Sequence, residues 1–127
     1  MATTRPPTPA ELEILGVLWK RGASTVREVQ EALDEGRPTG YTTVLKLLQI
    51  MTEKQLVSRD ERARAHVYVA RLPEAHTQRQ LVSDLLDRAF GGSAMKLVMH
   101  ALSAKKTSPD EIARIRRMLD DIEGGGR

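Results

Sequence analysis

The 127-residue chain contains no cysteine and is poor in aromatic residues, with one tryptophan, two tyrosines and one phenylalanine. The absence of cysteine excludes disulfide bonds, thiol catalysis and cysteine-ligated metal sites. The three histidines are scattered and form no His-x-x-x-His pair, so we expect neither a metal ion nor another cofactor. A core with so few rings must be built from aliphatic side chains, which favours helices packed on helices.

Long apolar segments and the usual catalytic motifs are also missing. No apolar run approaches the roughly 20 residues that a membrane-spanning helix needs, and the first nine residues lack the apolar region of a signal peptide. We therefore expect a cytoplasmic protein that does not insert into a membrane. No Ser-His-Asp order, glycine-rich phosphate loop or carboxylate pair in an apolar context stands out, so we do not expect an enzyme.

Positive charge is concentrated in one part of the chain. The net charge is only +3, but residues 37–71 contain seven bases against three acids, whereas residues 9–36 contain three bases against six acids. Such a basic segment predicts a surface that contacts the phosphates of a nucleic acid. Its bases are Arg37, Lys46, Lys54, Arg59, Arg62, Arg64 and Arg71.

The first half of the chain predicts three helices. Thr8-Pro9-Ala10-Glu11 and Thr25-Val26-Arg27-Glu28 are capping boxes that begin the first two, and Gly22 suits the left-handed residue that ends the first. The third helix is expected from about Thr39 to Lys54, with one apolar face. Its other face is polar and consists of Thr42, Thr43, Lys46, Gln49 and Glu53.

After the third helix the hydrophobic period changes from 3.6 to 2. Residues 56–60 and 66–70 are therefore predicted to be strands, and the intervening 61–65 lacks the Asn-Gly or Gly-Gly pair of a tight hairpin, so we expect a longer loop. Three helices followed by two or three short strands is the order of a winged helix-turn-helix. In that fold the third helix reads the major groove, and the loop would bring Arg62 and Arg64 to the DNA.

The rest of the chain is expected to be helical, with helices at about 78–90, after Ser93 and after Ser108, and a frayed tail from Gly124. We divide the chain into a DNA-binding domain at 1–72 and a helical dimerisation domain at 73–127. About 50 residues are too few to bury three apolar stripes, so we expect a second copy to cover them. The residues expected in the homodimer interface are Leu81, Leu85, Leu97, Val98, Leu102, Ile112, Ile115 and Leu119.

Two alternatives stay open on this evidence. The helical C-terminal half could fold back on the N-terminal half as a cap in a monomer. A winged helix could also be a protein-protein interaction module that does not bind specific DNA sequences. Operator binding that is lost at high salt separates DNA binding from the second alternative.

Four segments of the sequence form a recognisable set: LEILGVLW at 12–19, TVREV at 25–29, GYTTV at 40–44 and RAHVY at 64–68. With these segments the sequence resembles the BlaI/MecI/CopY family of bacterial repressors from about Thr8 to Ile122. The resemblance implies a winged-helix domain, a helical dimerisation domain, and repression by a homodimer on a palindromic promoter operator. It places Thr42, Thr43 and Lys46 in the major groove and Arg62 and Arg64 at the wing.

The chain departs from the family pattern at three points. Relatives usually have glycine after the third helix, where this chain has Gln55, which would be strained if the left-handed cap is kept. In the copper branch a cysteine cluster senses the metal, whereas this chain contains no cysteine. In the antibiotic-resistance branch a membrane-bound sensor metalloprotease cuts an Asn-Phe bond that aligns here with His100-Ala101. We therefore expect repression to be relieved by a cut at another bond or by another signal.

Overall fold

The computed structural model describes residues 6–35 and 38–125, which form a mainly α structure with a small antiparallel sheet, as predicted. The helices and strands within these residues are α1 (Pro9–Arg21), β1 (Ser24–Thr25), α2 (Val26–Asp34), α3 (Tyr41–Glu53), β2 (Val57–Asp60), β3 (Val67–Ala70), α4 (Glu74–Ala89), α5 (Ala94–Ala104) and α6 (Pro109–Gly125). The order of three helices and a β-hairpin confirms the winged helix-turn-helix arrangement.

Reciprocal caps begin the first two helices, as the sequence predicts. The Glu11 amide donates to Thr8 Oγ1 at 3.2 Å, and the Thr8 amide donates to Glu11 Oε1 at 2.9 Å. Thr25 and Glu28 repeat this pair at α2, with distances of 3.2 and 2.8 Å. Each box satisfies amide donors that have no partner inside the helix, so these two starts are fixed by local chemistry.

The turn between α2 and α3 is held by side chains from α2. The Thr39 amide donates to Asp34 Oδ1 at 2.7 Å, and Gln30 Nε2 donates to the Thr39 carbonyl at 3.2 Å. Gly40 is the N-cap of α3 and supplies no side-chain hydrogen bond. These contacts set where α3 begins and hence which of its residues face outward.

A small sheet joins the wing to the helices; the wing consists of β2, β3 and the loop between them. Its strand order is β1-β3-β2 and all pairs are antiparallel, with Ser24 opposite Tyr68 and Val57 opposite Ala70. β1 is a two-residue strand in the link between α1 and α2. Residues 61–66 connect β2 to β3, which confirms the prediction of a loop longer than a tight hairpin turn.

One aliphatic core lies beneath α3. Tyr68 from β3 is 1% exposed and is the sole aromatic residue among the buried core side chains of the described chain. The others are Ile14, Leu15, Leu18, Val26, Val29, Val44, Leu48, Met51, Leu56 and Val57. Trp19 packs at the edge of this core, and its Nε1 donates to the Leu72 carbonyl at 2.9 Å, which ties α1 to the chain after β3.

Gln55 keeps the left-handed conformation at the end of α3, with φ 65°. The Leu56 amide donates to the Met51 carbonyl at 2.9 Å, the long hydrogen bond that closes a helix through a left-handed residue. Leu56 is buried, so the turn is held by packing as well as by this bond. The strain expected at Gln55 is therefore present, because a side chain at positive φ crowds its own backbone.

The C-terminal helices begin and end differently from the prediction at two places. α4 begins at Glu74 rather than Gln78, directly after Pro73, whose carbonyl accepts from the amides of residues 76 and 77. α6 continues through Gly125, although Gly124 and Gly125 were expected in a frayed tail; Gly126 and Arg127 lie outside the described residues. Gly91 and Gly92, both at positive φ, end α4 as predicted.

The chain forms two compact units, residues 1–82 and residues 83–127, with the division inside α4. The sequence prediction placed the functional division earlier, at 72/73. The first unit contains the helix-turn-helix, the sheet and their core. The second contains the end of α4 together with α5 and α6.

Candidate nucleic-acid interface

The polar face of α3 lies on the surface, opposite the face that packs on the core. Thr42, Thr43, Lys46 and Gln49 are all exposed. Val44, Leu48 and Met51, on the other side of the helix, are each 0% exposed. Lys46 has no carboxylate partner within residues 6–35 and 38–125. The sequence thus identified a face of free hydrogen-bonding groups on a helix whose orientation the core fixes.

Arg62 at the wing is paired with Asp60. Its Nε and Nη2 donate to the two carboxylate oxygens at 3.0 and 2.9 Å, and its amide donates to Oδ1 at 3.0 Å. The side-chain and backbone hydrogen bonds from Arg62 lower the pKa of Asp60 to about 2. The pair is therefore ionised and neutral as a whole at any physiological pH, which reduces the positive charge expected at the wing.

Arg59 is paired as well. It lies opposite Tyr68 in the sheet, and its guanidinium contacts the Glu61 carboxylate at 2.5 Å. Hydrogen bonding to the Tyr68 side chain and then to Glu61 raises the pKa of Arg59. The positive charge of Arg59 is therefore compensated by Glu61.

Three bases of the basic segment stay unpaired within the described part of the chain: Lys46, Arg64 and Arg71. Lys54 is bound to Glu11, and Arg37 lies outside the described residues. Arg64, at the tip of the wing, is exposed and has no acidic partner in these ranges. Of the two wing arginines that the sequence predicted, Arg64 therefore carries the uncompensated charge.

A groove of about 440 Å³ separates the start of α3 from the wing. Arg27 from α2, Tyr41 from α3, and Arg64 and His66 from the wing contribute its polar wall. Thr25, Val26, Leu45, Ala65 and Tyr68 line the rest. The sequence prediction missed Arg27 because this residue lies in the acidic segment, and only the fold brings it to Arg64.

The predicted interface residues of the second half are exposed to differing degrees. Leu85, Val98, Leu102 and Leu119 are exposed, whereas Leu81, Leu97, Ile112 and Ile115 are half-buried within the chain. No residue of α5 or α6 in the described chain is buried. The predicted interface omitted five further exposed apolar side chains of this half: Val82, Met95, Met99, Met118 and Ile122.

His100 and Ala101 lie in α5, and both are exposed. The His100 ring lies 5.8 Å from the ring of Phe90, centroid to centroid. In residues 6–35 and 38–125, no helix is long and apolar enough to cross a membrane, and no group of three metal-ligating side chains could hold an ion.

A winged helix-turn-helix with an unpaired polar recognition face is the architecture of a DNA-binding protein. The penicillinase repressor family model matches residues 7–121, and the chain belongs to this family of transcriptional repressors. It is 33% identical over 121 residues to the transcriptional regulator BlaI of Mycobacterium tuberculosis, a match that covers 91% of this chain and 83% of the relative. It is 23% identical over 112 residues to the penicillinase repressor of Bacillus licheniformis, which covers 88% of both chains.

Two solved structures share the fold. The DNA-binding domain of the repressor BlaI superposes with a TM-score of 0.52 at 24% identity, over 59% of this chain and 92% of that domain. H. salinarum RosR superposes with a TM-score of 0.54 at 20% identity, over 97% of this chain and 99% of the other. These similarities support the winged-helix architecture predicted from the sequence.

Proposed function

We propose that this protein represses transcription by binding a palindromic promoter operator as a homodimer. The observation that carries the proposal is the exposed face of α3, where Thr42, Thr43, Lys46 and Gln49 are free to contact base edges. Hydroxyl, ammonium and amide groups can all hydrogen-bond in the major groove. In this proposal residues 1–72 bind DNA and residues 73–127 hold two copies together.

Dimer formation is supported by the apolar surface of the second unit. Met95, Met99 and Leu119 are each more than half exposed, and no side chain of α5 or α6 in the described chain is buried. Burial of a large apolar side chain contributes about 1.5–3 kcal/mol, so a second copy that covers these faces would be strongly stabilised. A symmetric dimer would also present two copies of α3 to two half-sites.

Release from DNA is proposed to follow loss of the dimer. A cut within α5 would separate Val98 from Leu102 and divide one of the apolar faces that the second copy covers. A membrane-bound sensor protease is one source of such a cut, and a different signal is the other. The His100-Ala101 bond offers no large aromatic side chain for a protease pocket that recognises one.

Selection of genomic DNA fragments by the full-length protein, followed by footprinting, tests the function. We expect protected half-sites related by a two-fold axis, centred about 10 base pairs apart or a multiple of this. Binding should weaken steeply as salt rises. Equal affinity for all fragments would contradict operator recognition and favour the alternative of a protein-protein interaction module.

A further inference from the structure

We propose that the groove between α2, α3 and the wing is a binding site for one phosphate of the DNA backbone, with Arg27 and Arg64 as its ligands. The inference rests on the proposed function and adds Arg27, a residue outside the recognition helix and the wing. Phosphate contacts of this kind fix the position of a protein on the duplex without reading its sequence. Arg27 would thus set the register in which α3 meets the bases.

The charge of the groove favours an anion. Arg27 and Arg64 both line it, neither has an acidic partner in the described part of the chain, and no carboxylate is among the lining residues. The acid next to Arg27 in sequence, Glu28, is engaged elsewhere: its Oε1 accepts from the Thr25 amide at 2.8 Å, and its Oε2 lies 3.6 Å from Arg21. The two guanidinium charges are therefore not compensated within the described chain.

The shape of the groove suits the DNA backbone better than a base edge. Its walls come from four separate parts of the fold, β1, α2, α3 and the wing, and Tyr41 lies at the first turn of α3. A backbone strand that flanks the major groove would pass this point when α3 lies in that groove. The Arg27 and Arg64 guanidinium groups can each donate two parallel hydrogen bonds to phosphate oxygens, a geometry that a lysine does not provide.

The test combines arginine variants of the full-length protein with DNA in which single phosphates are replaced by neutral methylphosphonates. Arg27→Gln should weaken binding to operator and to random DNA alike, by about tenfold. The slope of log affinity against log salt should fall by about one. Arg27→Lys should retain most of the salt slope but lose part of the affinity. Arg79→Gln is the matched control, because it removes the same charge from an exposed arginine of the same unit that lies outside the groove and has no ion pair in the described part of the chain.

The methylphosphonate scan identifies the contact itself. For the unsubstituted protein, one neutral position in each half-site should weaken binding, and the same position should cause a smaller loss with Arg27→Gln, because only the Arg64 contact remains to be removed. If neutral positions weaken both proteins equally at every phosphate, or if Arg27→Gln binds like Arg79→Gln, the phosphate site is wrong while operator binding stands. Failure of the unsubstituted protein to select an operator would instead overturn the proposed function and this site together.

Discussion

The Lys54 ammonium lies 3.0 and 2.9 Å from the two carboxylate oxygens of Glu11, 43 residues earlier in the chain. Glu11 is 2% exposed, and one of the same oxygens accepts from the Thr8 amide that begins α1. A single buried carboxylate therefore caps one helix and binds the residue that ends another. Lys54 therefore has a structural role, although the sequence analysis grouped it with the bases expected to contact phosphates.

Removal of either member of this pair should destabilise the first unit. We expect Lys54→Met to cost about 3–5 kcal/mol, because it leaves the Glu11 carboxylate buried without a counter-ion. Glu11→Gln should cost less, about 1–3 kcal/mol, because the Lys54 side chain it leaves unpaired is 25% exposed to water. Urea unfolding followed by the fluorescence of Trp19 measures both changes. Equal costs, or none, would contradict the assigned burial of Glu11.

The ion pair at the wing predicts different roles for its two arginines. Arg64→Gln should lower the slope of log DNA affinity against log salt concentration by up to about one. Asp60→Asn should raise affinity for any DNA, because it frees the Arg62 guanidinium and removes a negative charge. Arg62→Gln should weaken binding, because it leaves the Asp60 carboxylate uncovered near the phosphates.

The double variant Asp60→Asn/Arg62→Gln is the control for the wing, since it removes a neutral pair and should bind much as the unsubstituted protein does. If the double variant lowers the slope of log affinity against log salt as far as Arg64→Gln does, Arg62 contacts phosphate directly.

The ion pair of Asp60 and Arg62 should persist down to low pH. Its stabilising effect is complete above the ordinary aspartate pKa and is lost as the pH falls through about 2.

The polar face of α3 is predicted to discriminate between DNA sequences. Thr42→Ala, Thr43→Ala, Lys46→Ala or Gln49→Ala should cost about 1–3 kcal/mol on the operator and much less on random DNA. Competition binding with both DNAs gives the two losses. Lys20→Ala, which removes an exposed lysine from α1, should change neither by as much. Equal losses on both DNAs would show that this face does not read the sequence.

The exposed apolar faces of α5 and α6 predict dimers that single charges disrupt. Val98→Asp or Leu119→Asp should weaken the dimer by about 100-fold, because each change occurs twice in a symmetric interface. Neither side chain is buried in the single chain, so the monomer should stay folded. Leu119→Met keeps the apolar surface and should remain dimeric. Sedimentation at several concentrations measures the oligomeric state. A monomeric unsubstituted protein would favour the alternative in which the C-terminal half folds back on the N-terminal half as a cap.

Exposure of producing cells to a β-lactam should not yield a fragment that begins at Ala101. A protease that requires a large aromatic residue after the cut would meet Ala101 and lose its main apolar contact, which reduces cleavage by orders of magnitude. Mass spectrometry of the repressor before and after exposure maps any new terminus. Prompt appearance of a chain that starts at Ala101 would place this protein with the antibiotic-sensing repressors.

Local chemistry in the sequence determined the elements of the fold. Capping residues lie three positions from their partners, so Thr8, Glu11, Thr25 and Glu28 could be interpreted without a structure. The outward face of α3 followed from the helical period alone. The pairing of Asp60 with Arg62 is local as well, because the two residues lie two positions apart where β2 ends and the loop begins.

Only the tertiary structure decided which charges stay free. Lys54 was neutralised by Glu11 and Arg27 was brought beside Arg64, and in both cases the partners lie more than 35 residues apart in the chain. A count of charges along the sequence treats every base alike. Ion pairs, in contrast, depend on the distances between side chains, which the packing of the core sets. The aliphatic core beneath α3 therefore determines, through the positions it gives these side chains, which bases are available to an anion.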